Sequence, residues 1–248
     1  MIQLRLAATA LLAGLALAAC GPTEDSQLAA CGGNDAPAAA QTGGGLSIQP
    51  LQFTCKKLAN GLRVYAMPDA NTASVSVAVW YDVGSKDDPQ GRSGFAHLFE
   101  HLMFKSTTNM PPETFDRLTE DAGGFNNAST WNDFTNYYES VPANHLERVL
   151  WGEAERMGSL VIDDANFKSE RDVVKEEFRQ SILSNPYGKL LGLYMAQSGF
   201  SVHPYGRPGI GSIEDLDAAT VEDVRAFHAA YYRPDNAVLV VSGISPRR

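Results

Sequence analysis

Two histidines and a glutamate carry the first chemical signal in this sequence. His97 and His101 stand four residues apart in Gly94-Phe95-Ala96-His97-Leu98-Phe99-Glu100-His101-Leu102-Met103-Phe104, which puts both imidazoles on one helix face, a turn apart. Two imidazoles so placed can bind one zinc ion. Glu100, three residues after His97, points toward the same face and can hold a water beside the metal without being a ligand itself. Reading His97 and His101 as core histidines would strand Glu100, because a buried carboxylate needs a charged or metal partner to offset desolvation.

A catalytic zinc needs a third protein ligand and an open position for water. Two candidates sit in Ser169-Glu170-Arg171-Asp172-Val173-Val174-Lys175-Glu176-Glu177-Phe178. At roughly 100° per residue, Phe167, Val174, Phe178 and Ser181 cluster on one side, Glu170 and Glu177 flank them, and Glu176 lies nearly opposite. Glu177 is therefore the expected third ligand. Glu176, Asp172 and Glu153 read as solvated helix-face carboxylates. His145, His203 and His228 lack acidic company and read as surface or structural.

Positioning these groups requires strands and helices, and both periods are present. Gly61 to Met67 and Ser74 to Tyr81 alternate with the two-residue period of strands, and Asp69 to Asn71 offers a turn, so an antiparallel pair is expected. Thr135 to Val141 alternates again, and Ala237 to Val241 is a short apolar run suited to a buried strand. That gives four strands, with room for a fifth and sixth. Ser93 is placed to cap a helix reaching about Phe104, Pro112 opens another that Gly123 closes, and Thr220 with Asp223 resembles a capping box for a helix to Tyr231. Longer helices are expected over His145–Leu160, Asp164–Leu183 and Tyr187–Ser198. Strands interrupted by helix pairs imply the α+β class: a mainly antiparallel sheet covered by helices.

The chain has 248 residues, 44% of them hydrophobic, and a formal net charge of −9. That balance argues against a nucleic-acid partner, which would call for a basic face. At the N-terminus an Ala/Leu stretch from Leu6 to Leu17 is too short to span a bilayer and reads as a secretion signal over residues 1–19. It ends in Leu17-Ala18-Ala19-Cys20, which resembles the lipobox of bacterial lipoproteins. That resemblance implies lipidation of Cys20 and, with Gly21 rather than Asp following, a place on the periplasmic face of the outer membrane. Residues 20–50, rich in Gly, Ala, Pro and Gln, read as a flexible tether, and 51–248 as the folded domain. Cys31 and Cys55 could oxidise together in an exported protein or remain unrelated thiols.

The His-x-x-Glu-His order is that of the inverzincins, and from about Leu58 to Ile244 the sequence resembles the N-terminal catalytic domain of the pitrilysin, insulinase and mitochondrial processing peptidase family. In that family an Glu-Arg-x-x-Val-x-x-Glu segment supplies the last ligand and a supporting carboxylate, which map onto Glu177 and Glu170. Gly123-Gly124, Asn127-Ala128-Ser129-Thr130, Asp133, Thr135 and Tyr137 match a sheet edge on which family members bind an extended peptide, so Asn127, Ala128 and Thr130 are expected to contact substrate. His203-Pro204-Tyr205-Gly206 and Tyr231 to Asn236 match landmarks that read as structural.

The resemblance implies a zinc endopeptidase with one Zn2+ held by His97, His101 and Glu177, Glu100 as the proton-transferring group, and Glu170 supporting a histidine. Family enzymes continue into a second, metal-free half, so the expected partners are a peptide substrate, a membrane reached through the lipid anchor, and a polypeptide supplying that half or a second copy of the chain. Two other readings compete: an assembly subunit that binds zinc and peptide without turnover, and a different metal reaction using a cysteine ligand, as in S-ribosylhomocysteinase. Cys31 and Cys55 are poorly placed for the latter.

Overall fold

The computed structural model describes residues 51–243; the expected signal and the whole tether, with Cys20 and Cys31, fall outside the described residues. Six strands form one sheet: β1 (Thr54–Lys57), β2 (Arg63–Pro68), β3 (Ser74–Tyr81), β4 (Phe125–Thr130), β5 (Thr135–Pro142) and β6 (Ala237–Gly243), in the order β1-β2-β6-β3-β5-β4. Every pairing is antiparallel except β2 with β6. The helices are α1 (Phe95–Leu102), α2 (Thr114–Glu120), α3 (Leu146–Ser159), α4 (Asp164–Phe178), α5 (Met195–Gly199), α6 (Ile213–Ala218) and α7 (Val221–Tyr231). The α+β architecture matches the expectation from strand and helix periods.

One pairing differs. β2 and β3 do not form a hairpin, because β6 lies between them, with Leu239 opposite both Val64 and Val79. The reason is in β6 itself: a run of Ala237-Val238-Leu239-Val240-Val241 is best covered with a neighbour on each side. The connection from Pro68 to Ser74 crosses the end of β6, where Asp69 N donates to Gly243 O at 3.1 Å.

Alternation in β3 fixes the core. Val75, Val77, Val79 and Tyr81 are buried, while Ser74, Ser76 and Trp80 face outward. Val79 and Tyr81 share one core with Phe95, Ala96, Leu98, Phe99 and Leu102 of α1 and Phe227 of α7, while Val75 and Val77 share another with Val149 of α3. Each large apolar side chain buried this way contributes roughly 1.5–3 kcal/mol, which anchors α1 and leaves His97, Glu100 and His101 on its other face.

The start of α1 is built differently from the expected serine cap. Ser93 Oγ donates to Asp215 at 2.5 Å, and the N-cap is Gly94 at φ +90°, where a Cβ would lie 2.7 Å from Ile210 O. The orphan N–H groups go to Asp88 instead, whose carboxylate accepts from Gly94 N at 2.7 Å and Ala96 N at 2.9 Å. Other ends agree with the sequence: Thr220 and Asp223 form the capping box of α7, and α4 continues through Arg179–Leu183 in wider i→i+5 turns. The segment expected to be helical from Tyr187 is likewise wide-turned over Leu190–Tyr194 before α5.

Glu153 requires a correction. Rather than facing water, it is buried on α3 beside Arg156, which also reaches Glu139 of β5 at 2.9 Å. The Arg156 guanidinium lies 3.7 Å from the centroid of the Phe115 ring. Burial and the neighbouring Glu153 push Glu139 far above the usual carboxylate range, which favours its neutral form beside the Arg156 guanidinium. The sequence did not show this because the Arg156 that pairs with Glu153 takes its second partner from a distant strand.

Candidate metal centre

α1 and α4 lie against each other and bring three donor groups to one point. His97 Nε2 is 3.6 Å and His101 Nε2 3.4 Å from Glu177 Oε2, and among the described residues these three side chains form the one group able to converge on a metal, with ligand atoms all within 4.8 Å of one another. The rings are nearly perpendicular, 84° apart with centroids separated by 4.9 Å. A tetrahedral zinc with bonds of ~2.0–2.1 Å has ligand-to-ligand edges of ~3.3 Å. The observed separations are too long for strong hydrogen bonds and close to those edges, so the donor set fits the ion.

Glu176 points away, pairing with Arg179 at 3.1 Å on the solvent side, whereas Glu177 reaches the histidines with its side chain still 43% exposed. Glu100 stands beside the cluster, one carboxylate oxygen accepting a hydrogen bond from Thr130 Oγ1. Glu170 lies behind His101, Oε2 at 3.7 Å from His101 Nδ1, while its Oε1 accepts from Lys105 Nζ at 2.9 Å and Ser169 Oγ at 3.1 Å.

The electrostatics show what these groups need. Burial, and then the adjacent His101, push His97 down to about 4 despite Glu177. Burial would also lower His101, but Glu170, Glu177 and Glu100 outweigh it and lift it to about 9. Burial raises Glu100 against the pull of Thr130. Glu177 is lowered chiefly by its contact with His101, and Glu170, though burial opposes it, by His101, Lys105 and Ser169. With neutral imidazoles, three carboxylates face one ammonium, a surplus that a divalent cation balances.

The residues expected to meet substrate all lie on β4, whose other edge has no strand beside it among the described residues. They are not equivalent. Asn127 is exposed and its Oδ1 accepts from Ala128 N at 2.8 Å; the Ala128 methyl is packed into the core; the Thr130 hydroxyl is taken by Glu100. Ala128 can offer a passing peptide only its backbone, and Thr130 serves the acid beside the metal cluster. Sequence reasoning missed that role, and missed Lys105 and Asp88. A His101-to-Lys105 spacing of four was the one available hint for Lys105. His203 is exposed and His228 is stacked on Phe99 and Tyr232, both apart from the cluster.

The model of the family described as Insulinase (Peptidase family M16) matches residues 63–211, and that of the Peptidase M16 inactive domain matches 218–248. The chain belongs to the insulinase family, peptidase family M16. It is 40% identical over 187 residues to Zinc protease PqqE of Helicobacter pylori, covering 75% of this chain and 42% of that protein. It is 28% identical over 218 residues to the human insulin-degrading enzyme, covering 84% of this chain and 21% of that enzyme. A solved protease from Helicobacter pylori superposes with a TM-score of 0.74 at 37% identity, over 78% of this chain and 46% of that one. Pitrilysin, at 24% identity and a TM-score of 0.69, covering 79% of this chain and 21% of that one, shares the fold. The chain thus spans less than half the length of these M16 relatives, several of which are named zinc proteases.

Proposed function

We propose that the protein is a zinc-dependent endopeptidase that hydrolyses extended peptides or unfolded polypeptide segments. The observation that carries this reading is the convergence of His97, His101 and Glu177, with Glu177 Oε2 3.6 and 3.4 Å from the two imidazole Nε2 atoms and all three ligand atoms within 4.8 Å of one another, and with Glu100 alongside but not among the donors. Zinc held there would acidify a water and polarise the scissile carbonyl. Glu100 takes the proton of the attacking water and returns it to the leaving amine; burial, which raises its proton affinity, suits it to both steps. Thr130 fixes one of its oxygens and leaves the other for that work. Glu170 orients the His101 ring through Nδ1. An extended peptide adds to the outer edge of β4, where Thr130 links the strand to Glu100, and backbone pairing there tolerates varied sequences.

Because the M16 relatives are about twice as long or more, full turnover is proposed to require a second, metal-free half, whether it continues this polypeptide or comes from another polypeptide or a second copy. The lipobox-like Leu17-Ala18-Ala19-Cys20 supports a proposed lipid anchor in the cell envelope. The decisive experiment is Glu100→Gln: the variant should retain one zinc per chain and lose peptide cleavage by at least a hundredfold, assayed with and without a candidate partner half. Retained cleavage in that variant overturns the assignment.

A further inference from the structure

Lys105 stands just beyond α1, its backbone N donating to Leu102 O at 3.1 Å, and its ammonium reaches across to Glu170 of α4 at 2.9 Å. The pair therefore ties the helix carrying His97 and His101 to the helix carrying Glu177. It also divides the work of the two Glu170 oxygens. Oε1 receives both Lys105 Nζ and Ser169 Oγ, and Oε2 is left facing His101 Nδ1. The Glu170 side chain is only 10% exposed, so few waters are available to take over if a partner is removed, and a carboxylate with one oxygen pinned has little freedom to rotate.

We infer that Lys105 is a positioning residue of the metal centre: by pinning Oε1 of Glu170 it turns Oε2 onto His101 Nδ1, so that His101 presents Nε2 toward Glu177 Oε2 and the ion. The inference rests on the zinc reading above. A lysine near a metal has two opposed effects, which give the test its sign. As a bare positive charge it repels a divalent cation, and removing it should tighten binding. As a positioning group it holds the ring that binds the cation, and removing it should loosen binding, as loss of an outer carboxylate partner does, by ten- to a hundredfold.

The experiment measures the zinc dissociation constant of the full chain by competition with a chromophoric chelator, for wild type, Lys105→Met, Lys105→Arg, Glu170→Gln and the double variant Lys105→Met/Glu170→Gln, with thermal unfolding of the metal-free forms alongside. The expected result is about tenfold weaker zinc binding in Lys105→Met, restoration to within about threefold in Lys105→Arg, and a double variant no weaker than Glu170→Gln. Equal or tighter binding in Lys105→Met overturns the inference, as does simple addition of the two losses. Should Lys105→Met fail to fold, Glu170→Gln still decides, because undiminished affinity there removes the relay through which Lys105 acts. Failure of the wild type to take up zinc sinks the peptidase reading itself, a different outcome from tight wild-type binding that Lys105→Met leaves unchanged.

Discussion

Two carboxylate clusters in this fold solve the same electrostatic problem in different ways. Under α3, Glu139 and Glu153 close around Arg156 in a site where all three residues are nearly inaccessible and the guanidinium is stacked on Phe115. Between α1 and α4, Glu100, Glu170 and Glu177 surround two imidazoles with Lys105 as the one ammonium, and Glu177 remains partly in water. The first cluster carries its own cation, and burial there favours the neutral form of Glu139. The second, once ligation holds both imidazoles neutral, carries more negative charge than Lys105 offsets, and it leaves donor atoms facing each other beyond strong hydrogen-bonding range. A closed, balanced cluster holds the fold; an open one with a surplus is equipped to take an ion.

The comparison is broken most forcefully at Arg156. Replacing it with methionine preserves much of the packing on Phe115 but leaves Glu153 and Glu139 buried without a cation, and removal of one partner from a buried ion pair costs about 3–5 kcal/mol. Denaturant unfolding of Arg156→Met should show a loss of that size. A loss under about 1 kcal/mol would mean that the cluster is solvated and that the contrast with the candidate metal centre is false.

Asp88 tests an intermediate case, a buried carboxylate satisfied mainly by backbone N–H groups. It caps the helix that carries the histidines, and burial pushes it up to about 7 despite donation from Ala96 and Gly94 and the nearby Arg207. The sign follows from the folded value lying above the unfolded one. Between about pH 4 and 7 the folded state keeps a proton that the unfolded chain releases, so this contribution to stability falls as pH rises through that window. Asp88→Asn has no such proton. It should cost about 1–3 kcal/mol near pH 5, where an amide replaces one of the acceptors that α1 uses, and the gap to wild type should narrow by pH 8. Unfolding curves at the two pH values check this; a gap that stays the same at both would show that Asp88 is already ionised at pH 5.

The parts of the site that lie within one helical turn were legible in the sequence. His97, Glu100 and His101 are fixed relative to one another by helix geometry alone, and the choice of Glu177 over Glu176 needed only the direction of the apolar face set by Val174 and Phe178. The remainder depends on approaches between distant segments, which periodicity does not encode. That Thr130 reaches Glu100 requires β4 to lie beside α1, and that Glu153 is buried requires Glu139 and Arg156 to meet beneath the sheet. The insertion of β6 between β2 and β3 has the same origin: alternation identifies each as a strand, while their order is decided by which faces and edges the whole chain can cover.

The smallest expected effect is also the most direct statement of the difference between the clusters. Glu139 is read as a neutral acid in contact with Glu153 and Arg156. Glu139→Gln would keep an oxygen to accept from Arg156 and supply an amide N–H where the acid O–H stood, so unfolding at neutral pH should change by less than about 1 kcal/mol. The same chemical change at Glu170 removes the carboxylate proposed to hold His101 in place and is expected to weaken zinc binding. If Glu139→Gln instead destabilised the fold by more than about 2 kcal/mol, Glu139 would be ionised in the folded protein. Arg156 would then be shared between two charged carboxylates, and the closed cluster would carry a surplus of its own.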